Sequence, residues 1–88
     1  MLSKTVKIVN KLGLHARPSA RIVQVASKFK SEITLEKDGV PVNGKSIMGV
    51  MMLAAGMGSE VTITVQGEDE EAALKALAEV LTSTFDID

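Results

Sequence analysis

Three stretches of the chain alternate apolar and polar residues, and this alternation limits the fold more than any other feature. They are residues 5–9 (TVKIV), 32–37 (EITLEK) and 60–66 (EVTITVQ). Ile33 and Leu35 share one side of their segment, and Val61, Ile63 and Val65 share one side of theirs. A strand with one dry and one wet face belongs to an antiparallel sheet that is covered on a single side. The cover must come from helices, and two stretches with helical spacing are available. Residues 16–28 place Ala16, Ala20, Val23 and Ala26 on one stripe, with Ile22 and Phe29 alongside. In the last segment Ala73, Leu74, Leu77, Val80 and Leu81 form the stripe.

Punctuation between these segments sets the order. Asn10-Lys11-Leu12-Gly13-Leu14 reads as a loop, and Asp38-Gly39 as a hairpin turn. Val40-Pro41-Val42 is a short strand, and Pro41, which has no N–H to give to a ladder, puts it at an edge. Asn43-Gly44 is a second turn. Ser46 suits the N-cap of a short helix over Ile47–Leu53 that ends before Gly56 and Gly58. Gly67 stops the third alternating strand, and Asp69, Glu70 and Glu71 open the last helix, where negative charge suits the dipole. The reading is β-α-β-β-α-β-α: an α+β open-faced sandwich, with a four-stranded antiparallel sheet carrying three helices on one face. Its first six elements match a split β-α-β arrangement, and the pattern leaves the strand order open. The 88 residues suffice for one small domain, expected to span 1–88.

Composition removes several functions. The chain has no Cys, which excludes disulfides, zinc–thiolate sites and thiol nucleophiles. With no Trp or Tyr, and only Phe29 and Phe85, it offers no stacking platform for bases, so no nucleic-acid partner is expected. No apolar run reaches the roughly 20 residues that span a bilayer, and no membrane insertion is expected. Met1-Leu2-Ser3-Lys4 leads straight into a strand pattern without a signal peptide, so the expected compartment is the cytoplasm. Charge is divided unevenly. Residues 1–45 carry nine Lys/Arg and three Asp/Glu, and residues 46–88 carry one Lys and eight Asp/Glu. By charge alone the basic half either attracts an acidic protein, a phosphate or nucleic acid, or the two halves are simply two solvated faces.

The chemistry concentrates in Gly13-Leu14-His15-Ala16-Arg17-Pro18-Ser19. His15, the only histidine, stands at a loop-to-helix boundary, and Pro18 falls in the first turn, where its missing N–H breaks no helical bond. The first-turn amides of Ala16, Arg17 and Ser19 are candidates to stay unpaired and bind an anion. Arg17 adds a cationic fork that matches phosphate oxygens. An imidazole beside such a site can hold or receive phosphate. It can equally be a surface residue or a weak cap. A single His builds no zinc site, and neither metal nor cofactor is expected.

The run GLHARPSA at residues 13–20 resembles the active-site signature of HPr, the histidine-containing phosphocarrier family of the bacterial sugar phosphotransferase system. A second run, Asn43-Gly44-Lys45-Ser46-Ile47-Met48-Gly49-Val50-Met51, resembles that family's regulatory serine region. The spacing between the two, the length and the element order agree as well, so the resemblance covers essentially the whole chain. It implies a phosphoryl carrier, not an enzyme. His15 would accept a phosphoryl group on Nδ1 from phosphorylated enzyme I, whose donor is phosphoenolpyruvate, and pass it to sugar-specific acceptor (enzyme II A) domains. Arg17 and the backbone of Ala16 and Arg17 would stabilise the phosphate. Ser46 would be the target of HPr kinase/phosphorylase, with a catabolite-control transcription factor as a further partner of the resulting form. The carrier is expected to be a monomer.

A short helix cannot bury apolar residues all round. Val50 and Leu53 are assigned to the core, and Ile47, Met48 and Met51 to an exposed patch that the resemblance makes a docking surface, rimmed by Arg17, Arg21 and Lys45. Three positions depart from common family usage. Ser19 stands where many members have Ala, and either bonds the phosphate or caps the turn. Leu12 replaces a small hydroxyl residue, and Gln24 a Lys found in some members. Two alternatives remain: the nitrogen-related phosphocarrier paralogue, and a mainly regulatory binding module in which Ser46 matters and His15 is secondary.

Overall fold

The computed structural model describes residues 1–11 and 13–83. Leu12 and Phe85, both singled out above, lie outside the described residues. The elements are β1 (Leu2–Lys7), α1 (Ala16–Ala26), β2 (Glu32–Lys37), β3 (Val40–Asn43), α2 (Ile47–Met52), β4 (Glu60–Gln66) and α3 (Glu70–Leu81). The sheet order is β1-β4-β2-β3 and every pairing is antiparallel. β4 therefore sits between β1 and β2, which splits the β1-α1-β2 unit and makes its two strands parallel to each other.

The alternation does what its period requires. Val6, Ile33, Leu35, Val61, Ile63 and Val65 point to the helices and are buried. The opposite face is polar, and there Thr5 and Thr62, directly paired in the ladder, share a hydroxyl–hydroxyl bond of 2.8 Å. Ile22, Val25 and Ala26 of α1, Val50 of α2 with Leu53 just beyond it, and Ala73, Leu77 and Leu81 of α3 close the core. Asp38 (φ 53°) and Gly39 (φ 80°) are both left-handed, as a two-residue hairpin turn of the primed type demands. Pro41 lies in β3, the outer strand of the sheet.

Three boundaries move. β1 runs from Leu2 to Lys7 rather than over 5–9, because its ladder follows β4 from Leu2↔Val65 to Lys7↔Glu60 and stops where β4 begins. Ile8 continues with loop contacts, its N–H donating to the Ser59 carbonyl at 2.9 Å, while Val9 is exposed. α1 ends at Ala26, and the Lys28 and Phe29 amides bond three residues back, to Val25 and Ala26, in a tightened last turn. Its buried stripe is Pro18, Ser19, Ile22, Val25 and Ala26 rather than Ala16, Ala20, Val23 and Ala26. Both sets have helical spacing, and the buried one contains a serine that an apolar count passes over.

α3 begins at Glu70, with Asp69 at its N-cap position. The Asp69 carboxylate leaves its own helix uncapped and reaches the α1–β2 connection. It accepts from the Lys30 amide (2.8 Å), the Ser31 amide (2.9 Å) and the Ser31 hydroxyl. These donors, the Ser31 hydroxyl first, lower its pKa from 3.8 to about 2. Glu70 is lowered too, chiefly by the Gly67 amide and then by the terminal ammonium of Met1. Since folding lowers the Asp69 pKa, its stabilisation is whole above pH 3.8 and is lost as pH falls through about 2. Acid titration of unfolding is expected to show that loss in the wild type and a smaller one in Asp69→Asn. Parallel acid profiles for the two would refute the assignment.

Candidate functional site: a phosphate-competent helix start

His15 occupies the N-cap of α1 in an extended conformation (φ −80°, ψ −168°), with its side chain half-buried and not used as a cap. Pro18 stands in the first turn, as its chemistry favours. The Ser19 amide donates to the His15 carbonyl at 3.0 Å and closes that turn. It is thereby removed from the three candidate anion donors, and the amides of Ala16 and Arg17 remain, at positions for which the helix itself has no acceptor. Arg17, in the first turn, is exposed, and Arg21 follows one turn later, also exposed.

Ser19 takes neither of its two alternatives. It is fully buried, and its Oγ donates to the Leu14 carbonyl at 3.1 Å. It anchors the loop that leads into the helix and does not face a phosphate. The loop is anchored on its other side by the segment that follows α2. The Leu14 amide donates to the Ala55 carbonyl at 2.9 Å. Gly13 has φ +70° and lies so close to Ala55 and Gly56 that a Cβ would overlap their backbone.

Ser46 is the N-cap of α2, accepting the Gly49 amide on Oγ at 3.1 Å. Val50 and Leu53 are buried, while Ile47, Met48 and Met51 are 44%, 71% and 40% exposed. Met52 (75%), one turn after Met48, extends this surface, and Met57 (62%) in the following loop is exposed as well. Neither was assigned to the patch from sequence, although the argument that a six-residue helix cannot bury apolar side chains all round applied equally to Met52.

Lys45 does not join Arg17. Its Nζ donates to the Phe29 carbonyl at 2.7 Å, just past the end of α1. A carbonyl at a helix C-terminus is a favourable partner for an ammonium group. Because Leu14 bonds the segment after α2 and Lys45 the segment after α1, the two helices run antiparallel. The basic rim near His15 consists of Arg17 and Arg21. Ser46 and Lys45 lie at the opposite end of α2.

Comparisons with known proteins identify the family. The family model "PTS HPr component phosphorylation site" matches residues 2–83. The chain belongs to the HPr family. A phosphocarrier protein HPr of Treponema pallidum is 52% identical over 98% of both chains. The HPr-like protein Crh of Bacillus subtilis is 54% identical over 89% of this chain and 92% of its own. The crystal structure of HPr from Thermoanaerobacter tengcongensis superposes with a TM-score of 0.92 at 52% identity, covering 97% of this chain and 96% of that one. As a member of the HPr family, the chain is a phosphocarrier of the phosphotransferase system and not an enzyme. Among the described residues, no helix is long and apolar enough to cross a membrane.

Proposed function

We propose that residues 1–88 act as one carrier domain in the cytoplasm, as a monomer, and that His15 accepts a phosphoryl group from phosphorylated enzyme I and delivers it to enzyme II A acceptor domains. The observation that carries this is His15 at the N-cap of α1, directly before the first-turn amides of Ala16 and Arg17, with the Arg17 side chain exposed in that same turn. A neutral imidazole nitrogen is a competent nucleophile near neutral pH. Its lone pair forms the bond from Nδ1 to phosphorus. The bond from phosphorus to the donor breaks, and its electron pair leaves with the donor. The proton on the other ring nitrogen stays, so the phosphorylated ring carries a positive charge beside the phosphoryl oxygens. Two amides and one guanidinium stabilise charge on the moving group. They do not enclose it, which suits a relay that must release what it accepts. Mass measurement after incubation with phosphoenolpyruvate, magnesium and enzyme I tests the proposal. One acid-labile, base-stable phosphoryl group is expected. Its absence, even with the host's own donor proteins, would overturn the reading.

Ser46 is proposed as the regulatory site of HPr kinase/phosphorylase, with a catabolite-control transcription factor as partner of the phosphorylated form. Its hydroxyl already stands at a helix start, where added negative charge is tolerated. Ile47, Met48 and Met51, with the neighbouring Met52, are proposed to dock the partners, and polarizable, flexible methionines fit several different surfaces. Ser46→Asp keeps a good N-cap, so its effect isolates charge from structure. It is expected to slow phosphoryl uptake from enzyme I about tenfold, equal to roughly 1.4 kcal/mol of barrier, with little change in melting temperature. An unchanged uptake rate would remove the regulatory claim.

A further inference from the structure

We propose that Asn10 is a positioning residue for the His15 site, a claim that rests on the carrier reading above. Asn10 follows the end of the β1 ladder and is 1% exposed. Its Nδ2 donates to the Gly13 carbonyl, and the Gly13 amide returns a bond to the Asn10 carbonyl at 3.0 Å. The first of these fixes the orientation of the side-chain amide, nitrogen toward the loop. Its Oδ1 meets no donor among the described residues. Asn10 is therefore held in the interior by what its nitrogen does to Gly13.

That bond completes a pattern. The three carbonyls that precede the open amides of α1 are each taken by a donor: Gly13 by Asn10 Nδ2, Leu14 by Ser19 Oγ, and His15 by the Ser19 amide. A carbonyl oxygen carries partial negative charge, and a phosphoryl group carries formal negative charge. With these oxygens committed to internal donors, the helix start offers N–H groups to an incoming anion without a competing acceptor beside them. Asn10 and Ser19 divide this work. Asn10 has the more demanding part, because Gly13 is in the left-handed region and stands between Asn10 and Ala55. Neither residue touches the phosphoryl group. Both act through the loop.

Asn10→Ala removes the donor, and Asn10→Ser restores a shorter one. Both are measured as acceptors of phosphate from enzyme I, separating turnover from half-saturating concentration, with thermal unfolding recorded in parallel. Asn10→Ala is expected to reduce turnover about tenfold while leaving half-saturation near wild type, since the exposed docking residues are untouched. Asn10→Ser is expected to recover part of the loss. Unchanged turnover in Asn10→Ala overturns the proposal. So does a loss confined to half-saturation, or failure of both variants to fold, which would make Asn10 a residue of stability alone. A wild-type protein that gains no labile phosphate overturns the carrier reading itself, and this is seen before any variant is compared.

Discussion

His15→Ala is expected to fold like the wild type and to take up no acid-labile phosphate from enzyme I. His15 is only half-buried and lies outside the hydrophobic core, so the stability change should stay within about 1 kcal/mol. The functional loss should be total, because His15 is the only histidine in the chain and there is no cysteine to substitute as a nucleophile. Ser46 does not rescue it: a phosphoserine is stable to acid, and the two products separate by that property alone. Labile phosphate persisting in His15→Ala would place the acceptor elsewhere.

Gly13→Ala is expected to have the largest effect on stability among single substitutions near the site. An alanine there must adopt φ +70°, and its Cβ would lie 2.5 Å from the Ala55 carbonyl oxygen and 2.8 Å from the Gly56 Cα. The left-handed conformation alone costs roughly 1–2 kcal/mol. The overlap is with backbone, so no side chain can swing away. Relief requires the loop to retreat from Ala55, which breaks the 2.9 Å bond from the Leu14 amide. Together these amount to about 3 kcal/mol. In a domain of this size that lowers the melting temperature by roughly 15 °C. Thermal unfolding by circular dichroism measures it, and a melting temperature within a few degrees of wild type would show that the loop repacks freely. Phosphoryl uptake should fall as well, since the displaced loop carries His15.

The parts of the fold that were legible in the sequence are those in which one residue type has one structural use. Val61, Ile63 and Val65 could only line the dry side of a strand, Pro41 marked the edge, and Ser46 marked a helix start. At the candidate site the residue types alone left His15 open between phosphate handling, a surface position and a weak cap, and only the resemblance of the run GLHARPSA singled out His15 and Arg17. What escaped were polar side chains working at a distance in sequence. Asp69 has the composition of a helix opener, and nothing local shows that it bonds Lys30 and Ser31, residues nearly forty positions earlier. Ser19 interrupts an apolar stripe by sequence and completes it in space. Lys45 looks like a free surface charge until the Phe29 carbonyl is placed beside it. The strand order was open for the same reason: β4 enters between β1 and β2 through contacts that no local period encodes.

The antiparallel run of α1 and α2 has a consequence for how a charge at Ser46 can be felt. α2 has six residues, a rise of about 9 Å. The screening length in physiological salt is about 8 Å. A dianion at the start of α2 is thus attenuated severalfold by the ionic atmosphere before it reaches the His15 end, provided the surface between them is wet. In the proposed docked state a partner covering the methionines would expel that water and salt, and the same charge would act across a low-dielectric seam. On the proposed regulation, a weak effect in the free protein and a strong one in the complex would have one origin. The influence of Ser46 on His15 should be weak in isolation, strong in the docked state, and open to adjustment by ionic strength.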